Sequence, residues 1–132
     1  MNTAPARLAA RTTQGWLPVP VIEYISAMLD MPYIRTYEVA SFYTMYNLEP
    51  VGTHLIQVCG TTPCMLRGSG ELIDVCKKRI GKQHEISADG KFTWIEVECM
   101  GACANAPMIQ LANPDGDHYV EDLDGAKLEA LM

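Results

Sequence analysis

The sequence predicts an α/β chain in which a short helical segment precedes one small sheet layer with helices packed on it. Two observations carry this. Before residue 50 the apolar residues recur at helical spacing, and from residue 54 they form short continuous or alternating runs divided by turn-forming clusters. A chain of 132 residues has room for one compact domain with a real core and a small appendage. The expected division is a helical segment over residues 1–49 and a sheet-containing domain over residues 50–132.

Taken in order, Thr3 can cap a first short helix with Pro5 in its opening turn, and Gly15 with the following prolines ends it. A second helix is expected from Pro20 to Leu29, burying Ile22, Ile25, Met28 and Leu29. A third is expected from Thr36 to Tyr46, with Val39, Ala40, Phe42, Tyr43 and Tyr46 on one face. Residues 47–52 read as a linker. His54 to Val58 is a buried strand that runs straight into Cys59. Gly68-Ser69-Gly70 opens a helix from Glu71 to Ile80, with Leu72, Ile73, Cys76 and Ile80 inward. Ala88-Asp89-Gly90 is a turn, and Phe92 to Glu98 alternates as a strand ending at Cys99. Met108–Ala112 and His118–Glu121 form a hairpin around Asn113-Pro114-Asp115-Gly116, and Gly125 to Leu131 is a last helix. The resulting β-α-β-β-β-α succession suits a single layered sheet.

Composition narrows the function. The net charge is −6, which argues against nucleic acid as the main partner. No apolar run reaches the length of about eighteen residues that a membrane helix needs, and the N-terminus lacks the apolar core of a secretory signal. A cytosolic setting is therefore expected, where simple thiols stay reduced. Five cysteines, an odd number, then point to metal or redox chemistry rather than to a disulfide framework.

Four of the cysteines fall into two pairs. Cys59 and Cys64 are separated by four residues, Cys99 and Cys103 by three, and 34 residues lie between the pairs. Each pair begins where a predicted strand ends, so both can sit on loops at one edge of a sheet. Both loops are rich in small residues: Gly60, Thr61 and Thr62 in one, Gly101, Ala102 and Ala104 in the other. Small residues let backbone N–H groups turn inward and approach an anionic centre. Four thiolates with such donors make sense around a metal centre. Zinc knuckles fit these spacings less well than a [2Fe–2S] cluster, whose two irons take two thiolates each. Zinc stays open on spacing alone. Dithiol chemistry is weakened by the lack of a C-x-x-C motif, and a Rieske site by the lack of a histidine at ligand spacing in either pair.

The stretches Tyr37–Asn47, Pro50–His54, Cys59–Ser69 and Glu98–Pro107 together resemble the NuoE-type small subunit of respiratory complex I. The resemblance extends from Gly15-Trp16 to Tyr119–Leu123, essentially the whole chain. It implies a thioredoxin-like [2Fe–2S] ferredoxin domain behind an N-terminal helical segment, with Cys59, Cys64, Cys99 and Cys103 holding the cluster. It further implies a partner subunit that carries FMN and receives hydride from NADH, the cluster exchanging one electron with that flavin. The place so implied is cytoplasmic and peripheral to the inner membrane in a bacterium, or on the matrix side in a mitochondrion. Members of this family extend beyond both ends of the present sequence, so the resemblance reads it as a shortened or compact form. Similar modules occur in NAD-dependent formate dehydrogenases and NAD-reducing hydrogenases.

The remaining candidates have plainer readings. Cys76 lies among Leu72, Ile73 and Ile80 and reads as a buried, inert thiol. Pro63 and Pro107 rigidify their loops, and Arg67 either offsets cluster charge or is simply solvated. His54, His84 and His118 are scattered and take no ligand role, while the acids at 121, 122 and 124 could contribute to a docking rim. No G-x-G-x-x-G and no nucleophile–base pair is present, so NADH and FMN are expected on the partner and this chain as an electron carrier.

Overall fold

The computed structural model describes residues 15–132. The chain divides into two compact units between Val51 and Gly52. The short helix expected from Thr3 lies outside the described residues.

The first unit contains α1 (Val19–Met28) and α2 (Tyr33–Phe42). Each is entered from an extended proline, Pro18 and Pro32, whose fixed φ suits the residue before a helix. Leu17, Ile22, Ala40 and Tyr46 form the core of this unit, with Val21, Val39 and Leu48 packed against it. Leu17 N–H donates to the Asn47 carbonyl (2.7 Å) and Asn47 Nδ2 to the Gly15 carbonyl (2.8 Å), tying the two ends together.

Four expected burials are corrected here. Met28 and Leu29 are exposed. At 100° per residue Met28 lies about 240° around from Ile22, off the buried stripe, and Leu29 lies past the last turn. Phe42 and Tyr43 are exposed as well. The helix ends at Phe42, Tyr43 is extended (φ −87°, ψ 106°), and Tyr46 reaches the core from the following turn.

The second unit holds a four-stranded sheet in the order β2-β1-β3-β4. The strands are β1 (His54–Cys59), β2 (Phe92–Val97), β3 (Ile109–Asn113) and β4 (Gly116–Val120). β1 runs parallel to β2 and antiparallel to β3, and β3–β4 is a hairpin. Asn113 closes that hairpin, its Oδ1 accepting from the N–H groups of Asp115 and Gly116 at 3.0 Å each. Three helices complete the unit: α3 (Thr62–Leu66), α4 (Ser69–Arg79) and α5 (Gly125–Leu131). The parallel β1–β2 pair needs a crossover, and α4 supplies it.

The core of this unit is Ile56, Val58, Leu72, Cys76, Trp94, Ile109, Leu123 and Leu128. Leu72 and Cys76 are one helical turn apart on α4 and both face it, as their spacing predicts. Trp94 is fully buried and donates its Nε1–H to the Gly81 carbonyl at 2.9 Å. Buried Thr93 accepts from the Gly52 N–H at 2.8 Å, fastening the entry of β1 to β2. Asp124 caps α5 by accepting from the Lys127 N–H at 2.8 Å. Sequence periodicity passes over α3, because five residues are too few to display a stripe; Gly68, at φ +103°, turns the chain from α3 into α4.

Candidate metal centre

Cys59 is the last residue of β1, opposite Val97 at the end of β2. Its N–H donates to the Met108 carbonyl (3.3 Å), and the Gly60 N–H donates to the Val97 carbonyl (3.0 Å). The sheet itself therefore sets where this thiol stands. The chain then enters α3, which turns Cys64 inward, and both thiols are buried. They pack with Ala106 and Met108, with Met100 and Ala102 alongside.

Cys99 and Cys103 are exposed and lie beyond the end of β2. Gly101 makes the bend between them at φ +84°, a conformation that side chains other than glycine's rarely adopt, and its N–H reaches the Cys99 sulfur at 3.4 Å. A single 3₁₀ turn, Cys103–Asn105, follows, and the two sulfurs of this pair stand 3.4 Å apart. The second loop is held from outside by β4 and the segment after it. Tyr119 Oη donates to the Met100 carbonyl (3.1 Å), Asn105 Nδ2 to Glu121 Oε2 (2.6 Å), and the Asp122 N–H to the Asn105 carbonyl (2.8 Å). Arg67, just past α3, joins the two loops: its Nε donates to the Ala106 carbonyl (3.3 Å) and its guanidinium lies 4.0 Å from Asp122.

Within each pair the thiols act on one another. Burial pushes Cys59 up, but the Thr61 hydroxyl and N–H, the Cys64 thiol and the Met100 N–H together outweigh it and hold Cys59 below its ordinary range. Cys64 is pushed up to about 11, first by burial, then by its hydrogen bond to Cys59 and by the charge there. The Gly101 N–H and then the Cys103 thiol hold Cys99 down, while Cys103 is raised by its bond to Cys99 and by burial. Each pair thus has one thiol shifted down and one shifted up.

This donor set fits a two-iron centre. The thiols gather two by two from two loops, and N–H groups of Thr61, Met100, Gly101 and Met108 bear on the sulfurs. Among the described residues no three Cys, His, Asp or Glu side chains converge as a site for one ion. The structure places Cys59 and Cys64 in one buried cluster at the end of β1, and Cys99 and Cys103 side by side beyond the end of β2.

Sequence reasoning missed Tyr119 and Asn105, which brace the second loop from a distance, and passed over Thr61 as merely small. The acids have intramolecular partners: Glu121 holds Asn105, Asp122 faces Arg67, and Asp124 caps α5. Cys76 sits in the core away from the pairs, its thiol pushed up to about 12 by burial.

A small α/β protein that presents four thiols at the ends of two parallel strands belongs among the thiolate-ligated ferredoxin folds. This chain is a member of the thioredoxin-like [2Fe-2S] ferredoxin family, whose pattern spans residues 5–132. It is 56% identical over 126 residues to the E subunit of the NADH-quinone oxidoreductase of Rickettsia bellii, covering 95% of this chain and 73% of that protein. With the corresponding protein of Rickettsia prowazekii it shares 53% identity over 126 residues, covering 95% of this chain and 69% of that one. Among solved structures it is similar to NAD+-reducing [NiFe]-hydrogenase in the air-oxidized state, with a TM-score of 0.77 and 19% identity over 94% of this chain. It is also similar to that enzyme in the H2-reduced state, with a TM-score of 0.76 and 22% identity over 99% of this chain. The match spans only about a fifth of those hydrogenase chains, 21% and 22%, and at such identities it speaks to the fold. Among the described residues no helix is long and apolar enough to cross a membrane.

Proposed function

We propose that this chain is an electron-transfer subunit of an NADH:quinone oxidoreductase and that Cys59, Cys64, Cys99 and Cys103 hold its [2Fe–2S] cluster. The observation that carries the reading is that the two cysteine pairs follow the ends of the neighbouring parallel strands β1 and β2, with the Gly101 N–H turned toward the Cys99 sulfur. The identities of 53–56% to the Rickettsia NADH-quinone oxidoreductase proteins name the host assembly. When bound, the cluster supplies a one-electron couple whose formal charge goes from about −2 to about −3.

The chain's own residues have divided tasks. Cys59 and Cys64, packed on Ala106 and Met108, hold the buried side and keep water from it. Cys99 and Cys103 hold the side open to solvent, where a separate subunit can approach. The N–H groups offset negative charge at the sulfurs. FMN and NADH belong on the adjoining subunit, and the assembly is peripheral to a membrane on its cytoplasmic or matrix side. On this reading the helices described before residue 50 form a segment of their own and residues 50–132 the cluster domain.

The likeness to NAD+-reducing hydrogenases supports the same class of module in a different host, but at 19–22% identity it ranks below the Rickettsia relatives. A zinc staple is the reading of a different class. The deciding experiment is an anaerobic iron and acid-labile sulfide assay of the purified chain, with EPR before and after dithionite. About two irons and two sulfides, silent when oxidised and giving an S = 1/2 signal when reduced, are expected. Stoichiometric zinc with no sulfide, persisting after reconstitution, would overturn the proposal.

A further inference from the structure

Thr61 stands at the N-cap of α3, where a threonine hydroxyl ordinarily accepts from a backbone N–H of the first helical turn. Here it makes no such bond. Its Oγ1 lies instead 3.2 Å from the Cys59 sulfur. This small side chain therefore touches the thiol that ends β1, from a half-buried position.

A thiol and a hydroxyl can each donate to the other, but a metal-bound thiolate has no proton to give. Once Cys59 is ligated, only Thr61 can donate. An O–H donor at a ligand sulfur stabilises negative charge there, and does so more strongly as that charge grows.

We infer that Thr61 is a positioning residue whose hydroxyl donates to the Cys59 sulfur and so favours the more negative, reduced state of the cluster. This rests on the ligand assignment above, and the experiment separates the two. The full chain is loaded anaerobically, and wild type must first show its two irons and two sulfides; if it does not, the ligand reading fails before Thr61 is tested.

Loaded Thr61→Val, Thr61→Ala and Thr61→Ser variants are then titrated with dithionite under EPR, with circular dichroism to verify the fold. Removing the hydroxyl should lower the equilibrium constant for reduction by up to about tenfold, which for one electron is about 59 mV. Serine should restore the wild-type potential. A loaded T61V or T61A at the wild-type potential overturns the inference. If neither of those variants holds a cluster while T61S does, the hydroxyl is required at the sulfur and the inference stands. If serine also fails to load, the threonine acts by its shape and the inference falls.

Discussion

Replacing Trp94 by phenylalanine tests the packing of the cluster domain quantitatively. Trp94 is fully buried at the middle of β2, and its Nε1–H is donated to the Gly81 carbonyl at 2.9 Å. Phenylalanine keeps an aromatic ring on the same strand but fills less space and has no donor. Losing part of the buried surface costs about 1–2 kcal/mol, at ~0.8 kcal/mol per methylene equivalent. Losing the hydrogen bond adds about 1 kcal/mol. W94F should therefore be destabilised by about 2–3 kcal/mol, below the ~3–5 kcal/mol expected for W94A. Against a total stability of about 5–15 kcal/mol this leaves W94F folded and W94A marginal. The assay is urea unfolding at pH 7 followed by far-UV circular dichroism, with the slope in urea unchanged between wild type and W94F. A W94F midpoint that corresponds to less than about 0.5 kcal/mol would refute the reasoning, because it would mean that neither burial nor the bond to Gly81 matters there.

Two further perturbations follow from titrating groups. Burial raises Cys76 to about 12, whereas an unfolded thiol releases its proton near about 8.5. From about pH 9 to 12 the folded chain thus holds one more proton than the unfolded chain, and stability falls with rising pH, by up to about 1.4 kcal/mol per unit. Urea unfolding of wild type and Cys76→Ala from pH 8 to 10.5 should show this component of the slope only in wild type; parallel curves would sink it. Asp124 is shifted the other way, held below the usual carboxylate range chiefly by the Lys127 N–H. Its contribution is present above about pH 4, where the unfolded carboxylate is already charged, and disappears as the pH falls through the lower folded value. Asp124→Ala should lower Tm at pH 7 and converge with wild type in acid; a constant gap across that range would count against the cap.

The legible parts of the sequence were those with a local signal. His54–Cys59, Phe92–Val97 and Gly125–Leu131 show their burial patterns directly, and the four cysteines announce themselves by type and spacing. What eluded reading has its cause elsewhere in the chain. Phe42 and Tyr43 match a helical stripe in sequence, but the helix stops at Phe42, so the aromatic pattern outruns the element that would bury it. Tyr119 and Asn105 acquire meaning only when the β3–β4 hairpin folds back beside the second cysteine loop. Thr61 could have been found, since an N-cap residue two positions past a cysteine has two competing uses for its hydroxyl.

The central position of β1 has a bearing on how the two halves of the site tolerate change. Cys59 sits on a strand clasped on both sides, parallel to β2 and antiparallel to β3. A slip of one residue would break both ladders at once and turn every side chain of the strand to the opposite face. Its place is thus proofread twice by the backbone, whatever loops are attached. Cys99 and Cys103 have no such double check, since they stand outside the sheet on a loop whose Met100 and Asn105 are held by hydrogen bonds with Tyr119, Glu121 and Asp122. Insertions and substitutions that drift through this fold should therefore spare the geometry of the first pair and be felt at the second.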